Sequence, residues 1–165
     1  NIEMEIQVDW LRKVLEANDN RWTIITFHHP LYSPASERDN FEMRQLWKPL
    51  LDEFKVDLVL SGHDHSYSRT GVIDAKKIEN IPTGYQQAYD PEIGTVHVVS
   101  VSGPKMYKIT KGSYAKKLGE NTQLYQIIDI KKNELRFRAY DATGDLYDEF
   151  LIQKQAGKPN LLIEK

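Results

Sequence analysis

Cysteine is absent from the 165 residues. That excludes a disulfide framework, a thiolate nucleophile and a Cys-ligated zinc, and leaves His, Asp, Glu and Asn to bind any metal. No apolar run approaches the roughly 20 residues that a membrane-spanning helix needs, so no membrane insertion is expected. An excess of one charge is also missing, since 22 Lys and Arg oppose 24 Asp and Glu for a formal net charge of −2. No overall field therefore favours nucleic acid or an anionic membrane as a partner. The pairs Lys76-Lys77, Lys116-Lys117 and Lys131-Lys132 lie far apart in the chain and read as solvated surface rather than a nucleic-acid stripe. Internal repeats and low-complexity linkers are lacking too. With 40% hydrophobic residues the chain has the size and composition of one domain with a substantial core. Its opening, Asn1-Ile2-Glu3-Met4, shows neither an initiator methionine nor a signal-peptide pattern, and the expectation is a fragment or processed product.

What is present is an alternation of helical and strand patterns. Ile6, Trp10 and Val14, with Val8, Leu11 and Leu15 one step round, follow spacings of three and four, which predicts an amphipathic helix from about Glu5 to Ala17. Trp22 to Phe27 is a short β-branched and aromatic run, the form of a buried strand, and a loop runs from His28 to about Asp39. A second helical face carries Met43, Leu46, Trp47, Leu50, Leu51 and Phe54, with Pro49 expected to kink or divide it. Val56 to Ser61 is the next buried strand. This order predicts an α/β layered domain with parallel strands. Further on, Thr83 to Gly94 reads as a polar loop and Thr95 to Val101 as a third buried strand. Gln123 to Ile130, Leu135 to Tyr140 and Leu146 to Gln153 are joined by turn-prone segments, Lys132-Asn133 and Ala142-Thr143-Gly144, and predict an antiparallel meander. Residues from Ala156 read as a loose tail, so the organisation is one domain over 1–155 and a tail over 156–165.

The chemistry concentrates where two of these strands end. Phe27-His28-His29-Pro30 follows the first and Gly62-His63-Asp64-His65 the second. In open α/β sheets, ligands bind beyond the carboxyl ends of strands, where adjacent strands deliver loops to one crevice. Four of the five histidines thus fall on one rim. In His63-Asp64-His65 two imidazoles are close enough to serve one metal or two neighbouring ones, with Gly62 expected to permit the turn. Neutral imidazole suits Zn, Fe, Mn or Ni, and a ligating ring usually has its second nitrogen held by a carboxylate or carbonyl; Asp64 is a candidate for that. A single His-x-His can equally be a pair of surface histidines. The combination of two histidine loops separated by one crossover helix is what favours a metal site.

Thr26-Phe27-His28-His29-Pro30-Leu31-Tyr32 resembles the late histidine motif of the purple acid phosphatases, within the calcineurin-like metallophosphoesterases. Leu60-Ser61-Gly62-His63-Asp64-His65-Ser66-Tyr67-Ser68-Arg69 resembles their Gly-His-x-His motif with its trailing Tyr-x-Arg. Gln7, Trp10 and Leu11 resemble the preceding helix, and Arg138 to Asp141 with Leu146 to Asp148 the closing hairpin. The resemblance implies the C-terminal part of an αββα sandwich, in which mixed sheets are flanked by helices. It implies His28 and His63 as ligands of one metal, His65 as a ligand of a second, and two ions of Fe, Zn or Mn. His29 stands where that motif usually has a small residue, and is a candidate catalytic group facing the phosphate, or one supporting a ligand or the structure. Tyr67 and Arg69 are expected to fix the loop beneath the metals, and Ser68 departs from the glutamate often found at its position. Arg38 lies in a loop where relatives place substrate-facing groups, although a solvated arginine before the second helix is the favoured reading. His97 belongs to no motif and reads as a packed or edge histidine.

The family also uses Gly-Asp, Gly-Asp-x-x-Tyr and Gly-Asn-His-Asp/Glu motifs, which supply a bridging aspartate and further oxygen ligands. None of them occurs here. The one Gly-Asp, Gly144-Asp145, lies in the terminal hairpin turn, and there is no Gly-Asn. The resemblance therefore implies phosphomonoester hydrolysis by a parent protein that includes a missing N-terminal half of the same domain. This chain alone is expected to bind metal weakly or singly and to turn over slightly. Alternatives are a mononuclear hydrolase with one zinc on His28, His63 and His65, and a non-catalytic interaction module derived from a phosphatase. By family analogy the location is secreted or periplasmic.

Overall fold

A computed structural model describes residues 2–73, 94–109 and 114–165. The lysine pair 76–77 and residues 83–93 of the expected polar loop lie outside them. The first helix, α1 (Ile2–Glu16), leads into the three-residue strand β1 (Ile24–Thr26). Helix α2 (Phe41–Glu53) then crosses to β2 (Leu58–Ser61), which pairs parallel to β1 with Ile24 opposite Leu58 and Thr26 opposite Leu60. Strand β4 (Thr95–Val99) pairs parallel to β2 on its other side. Helix, strand, helix and parallel strand thus occur in the order the apolar periodicities predict.

Several expectations are corrected. Pro49 does not divide the second helix, which is continuous across it; Trp47, Leu50 and Leu51 are all buried, and their packing holds the turn that lacks a backbone donor. The first strand is an edge rather than a buried strand. It pairs only with β2 among the described residues, and Ile24 remains 36% exposed. Two strands were not legible from pattern: β3 (Tyr67–Ile73) and β5 (Ala115–Gly119), both antiparallel, which complete a sheet of order β1-β2-β4-β3-β5.

The second sheet is the expected meander with one strand more: β6 (Leu124–Lys131), β7 (Glu134–Asp141), β8 (Leu146–Gln155) and β9 (Lys158–Glu164), in sequential order. Strand β9 replaces the predicted loose tail. Gly157 adopts a φ of +67°, a turn conformation that costs glycine little. The chain then returns antiparallel to β8, with Ile152 opposite Leu162, and Leu162 packs against the core.

Alternation along the strands sorts side chains into two cores. In β2, Val59 faces the helices with Leu11, Leu15, Trp47, Leu50 and Leu51, whereas Leu58 faces the second sheet with Val96, Val98, Phe137 and Phe150. The layers are therefore helices, mixed sheet and antiparallel sheet. The carboxyl ends of β1 and β2, adjacent and parallel, deliver both histidine loops to the same edge.

Candidate metal-binding site

Parallel pairing continues past the strands into the loops. The Phe27 amide donates to the Leu60 carbonyl at 3.2 Å and the Gly62 amide to the His28 carbonyl at 3.1 Å, so residues 27–28 and 60–62 stay in register where the histidines begin. Ser100 N–H donates to Ser61 O at 3.0 Å, joining the end of β4 to the same rim.

Three rings meet there. His28 Nε2 and His63 Nδ1 are 3.0 Å apart, and the His29 ring lies 4.0 Å from His63 between centroids and 5.1 Å from His28. Donors bound tetrahedrally to one ion at about 2.0–2.1 Å stand roughly 3.3 Å apart. The His28–His63 pair is thus within a few tenths of an ångström of spanning a metal. His65 is turned to a different support: its Nδ1 lies 2.9 Å from the Lys105 carbonyl, and its ring stacks on Tyr107 at 4.7 Å. A carbonyl can only accept, so Nδ1 carries the proton and Nε2 keeps the lone pair, the tautomer a metal ligand requires. Among the described residues no group of three His, Asp or Glu forms a ready-made ion cage. The donor set fits metal as a histidine pair plus one separately held histidine.

The turn is not made by glycine. Gly62 does not have a positive φ; His63 (+66°) and His65 (+47°) do, and a β-carbon on Gly62 would meet Ser100 O and His28 Nδ1 only at ordinary contact distance, 3.9 and 4.0 Å. Non-glycine residues in this region cost of the order of 1–3 kcal/mol each and persist where surrounding structure holds them. The holding bonds are visible: Asp64 N–H to Gly62 O at 2.8 Å, Ser66 Oγ to Asp64 O at 3.1 Å and Tyr107 N–H to His65 O at 3.2 Å. Burial holds the His63 imidazole below its ordinary pKa, with neighbouring His29, Arg38 and His28 acting in the same direction and Asp64 opposing. Its neutral, ligating form is favoured accordingly.

Asp64 does not support a histidine ring as anticipated. Its carboxylate is fully buried and receives Arg38 Nη1, and Arg38 is accordingly a structural partner rather than a solvated arginine. The loop from His28 to Asp39 is further clamped by Asn40, whose Nδ2 donates to Pro30 O at 2.6 Å. Arg44 Nη1 donates to Leu31 O at 2.9 Å and to Asp39 at 2.8 Å. Tyr67 and Arg69 also take another role. The Tyr67 hydroxyl and Arg69 Nε both donate to Asp148 Oδ2 at 2.7 Å, fastening the mixed sheet to β8 of the second sheet. His97 lies on the helix-facing side of β4, packed on Tyr32 at 5.0 Å and fully buried. Lys105 and Tyr107 were missed by sequence reasoning because they belong to no motif and lie about 40 residues from His65 in the chain.

Comparison with known proteins gives a consistent picture. Residues 1–67 match the family model described as calcineurin-like phosphoesterase. An uncharacterised Mycobacterium tuberculosis protein is 33% identical over 106 residues, 57% of this chain and 20% of that protein. Purple acid phosphatase 23 of Arabidopsis thaliana is 32% identical over 109 residues, 63% of this chain and 21% of that protein. The chain thus spans about a fifth of the length of these curated relatives. The fold is similar to that of purple acid phosphatase PPD1 from yellow lupin seeds, with a TM-score of 0.69 at 22% identity, covering 89% of this chain and 28% of that one.

Proposed function

We propose that the chain is the C-terminal part of a calcineurin-like metallophosphoesterase of the purple acid phosphatase-like branch, a reading supported by the match of residues 1–67 and by its similarity to purple acid phosphatase 23, and that it carries the histidine half of a dinuclear phosphomonoesterase site. The observation that carries this reading is the His28–His63 pair, 3.0 Å between ring nitrogens, at the ends of two adjacent parallel strands. His28 and His63 would hold one ion and His65, through Nε2, a second. Bound there, metal would act as a Lewis acid on a phosphate ester and lower the pKa of water to supply a nucleophile. The protein's own part is to hold three neutral imidazoles in place and to set His29 against His63, where it can donate a hydrogen bond to a phosphate oxygen.

Three imidazoles bring no negative charge to offset two cations, so carboxylate or amide oxygen donors from beyond these loops complete the site. The chain by itself is then a weak metal binder with slight turnover. Export of the intact protein is part of the same reading, by analogy with relatives. The test is calorimetric titration of the 165-residue chain with Zn²⁺ and Mn²⁺, alongside hydrolysis of a chromogenic phosphate monoester. Weak, histidine-dependent binding with little turnover is expected. Absence of any histidine-dependent binding would overturn the assignment, and turnover equal to that of an intact phosphatase would overturn the need for outside ligands.

A further inference from the structure

We propose that Arg38 is a positioning residue that holds the rings of His63 and His65 at the angles needed for metal. The inference rests on the metal-site reading and deepens it. Asp64 is the residue between the two histidines, and its carboxylate, with no exposed surface, is bonded to Arg38 Nη1. The same guanidinium lies 5.7 Å from the centre of the Tyr107 ring, and that ring stacks on His65. One side chain therefore touches both what lies between the histidines and what backs the second of them. It arises from the loop that His28 begins, so it ties three segments together: 28–39, 62–66 and 105–107.

The tie has a consequence for geometry. His63 and His65 each sit at positive φ around Asp64, and a turn with both residues in that region has no preference of its own for the shape it holds. Asp64 is its central anchor. Its second oxygen, Oδ2, has no hydrogen-bond partner among the described residues, so the Arg38 pairing is the contact that keeps a buried charge compensated. If Arg38 is lost, the carboxylate turns toward water and rotates the peptides on either side, which are those carrying the two rings.

The experiment compares wild type with Arg38→Ala and Arg38→Lys, using long-range ¹H–¹⁵N imidazole spectra of the metal-free protein and titration with Co²⁺. In Arg38→Ala, the fixed Nδ1-protonated tautomer of His65 is expected to be lost and Co²⁺ affinity to fall about tenfold or more, the range for removal of a group that orients a ligand. Added guanidinium ion should restore both, and Arg38→Lys should restore them only in part, since a lysine cannot span Asp64 and Tyr107 with one planar group. Unchanged ring tautomers and affinity in Arg38→Ala would overturn the proposal. So would losses that guanidinium fails to restore and that follow a lowered unfolding midpoint, because the arginine would then be a stability element only. Should wild type itself bind no Co²⁺, the phosphoesterase reading fails, while the metal-free ring spectra still decide the role of Arg38.

Discussion

Nε2 of His28 and Nδ1 of His63 lie 3.0 Å apart, so one proton sits between two rings that come from different strands. A divalent ion that binds the pair replaces that proton, and either ring alone is a monodentate site. His28→Ala and His63→Ala are each expected to weaken Zn²⁺ binding at least as far as the roughly 10–100-fold cost of losing a supporting group, with His97→Leu unchanged as a control. Isothermal titration at neutral pH checks this. Because burial holds His63 below its ordinary pKa, binding through it should also persist further into acid than for a free imidazole. Equal affinity in all three variants would mean the pair is not a ligand set.

A second prediction concerns the joint between the sheets. Asp148 accepts from Tyr67 and from two nitrogens of Arg69, at 2.7, 2.7 and 3.2 Å, and both ionic side chains are about 95% buried or more. Arg69 keeps a second carboxylate, Glu164 at 2.6 Å, whereas Asp148 has no other cationic partner among the described residues, so it is removal of Arg69 that leaves a buried charge uncompensated, at about 3–5 kcal/mol. Arg69→Met should therefore lose about that much by urea unfolding, while Tyr67→Phe, Arg69→Met and Asp148→Leu together lose distinctly less. If the triple variant is the less stable of the two, the network stabilises outright rather than by mutual compensation.

His97 supplies a pH dependence. Desolvation first, and the positive charge of Lys48 second, hold its pKa well below 6.5; Tyr32 packs on its ring. The unfolded chain therefore binds a proton near pH 6.5 that the folded chain refuses, and stability falls as pH drops below 6.5, by up to about 1.4 kcal/mol per pH unit for this one group. Above pH 6.5 the group contributes no slope. Unfolding free energies of wild type and His97→Leu, measured from pH 8 to pH 5, should run parallel above 6.5 and diverge below it. Parallel curves throughout would show that His97 takes up its proton in the folded chain as readily as in the unfolded one.

The parts of this structure that could be read beforehand share a physical cause. Periodic apolar patterns reported α1, α2, β2 and β4, because each element buries one face or both, and the histidine loops were legible because they end strands. What could not be read was held by single contacts between distant segments. Strand β3 begins with Tyr67 and Arg69, buried polar residues whose partner, Asp148, is about 80 residues away, so no local pattern marks it. Strand β9 has Lys158, Pro159 and Asn160 at its start and is recruited by the Gly157 turn. Arg38 looks like any loop arginine until Asp64 is seen beneath it.

The last prediction concerns an exposed surface. Ile6 and Trp10 are 62% and 61% exposed and Val14 45%, so the i, i+4, i+8 stripe that announced α1 faces outward, while Leu11 and Leu15 form its packed side. Directly after α1 comes β1, whose second edge has no strand beside it among the described residues. An unpaired edge is a template for pairing with another chain, and a contiguous apolar stripe adds a driving force of about 25 cal/mol per Å² covered. The chain at high concentration is therefore expected to self-associate. The double variant Ile6→Lys and Trp10→Lys should reduce the sedimentation coefficient toward that of the monomer while leaving the unfolding free energy within about 0.5 kcal/mol of wild type, the usual effect of surface changes. A double variant that loses several kcal/mol would show instead that the stripe is packed within the chain, and a wild type that is monomeric at every concentration would show that the edge is protected.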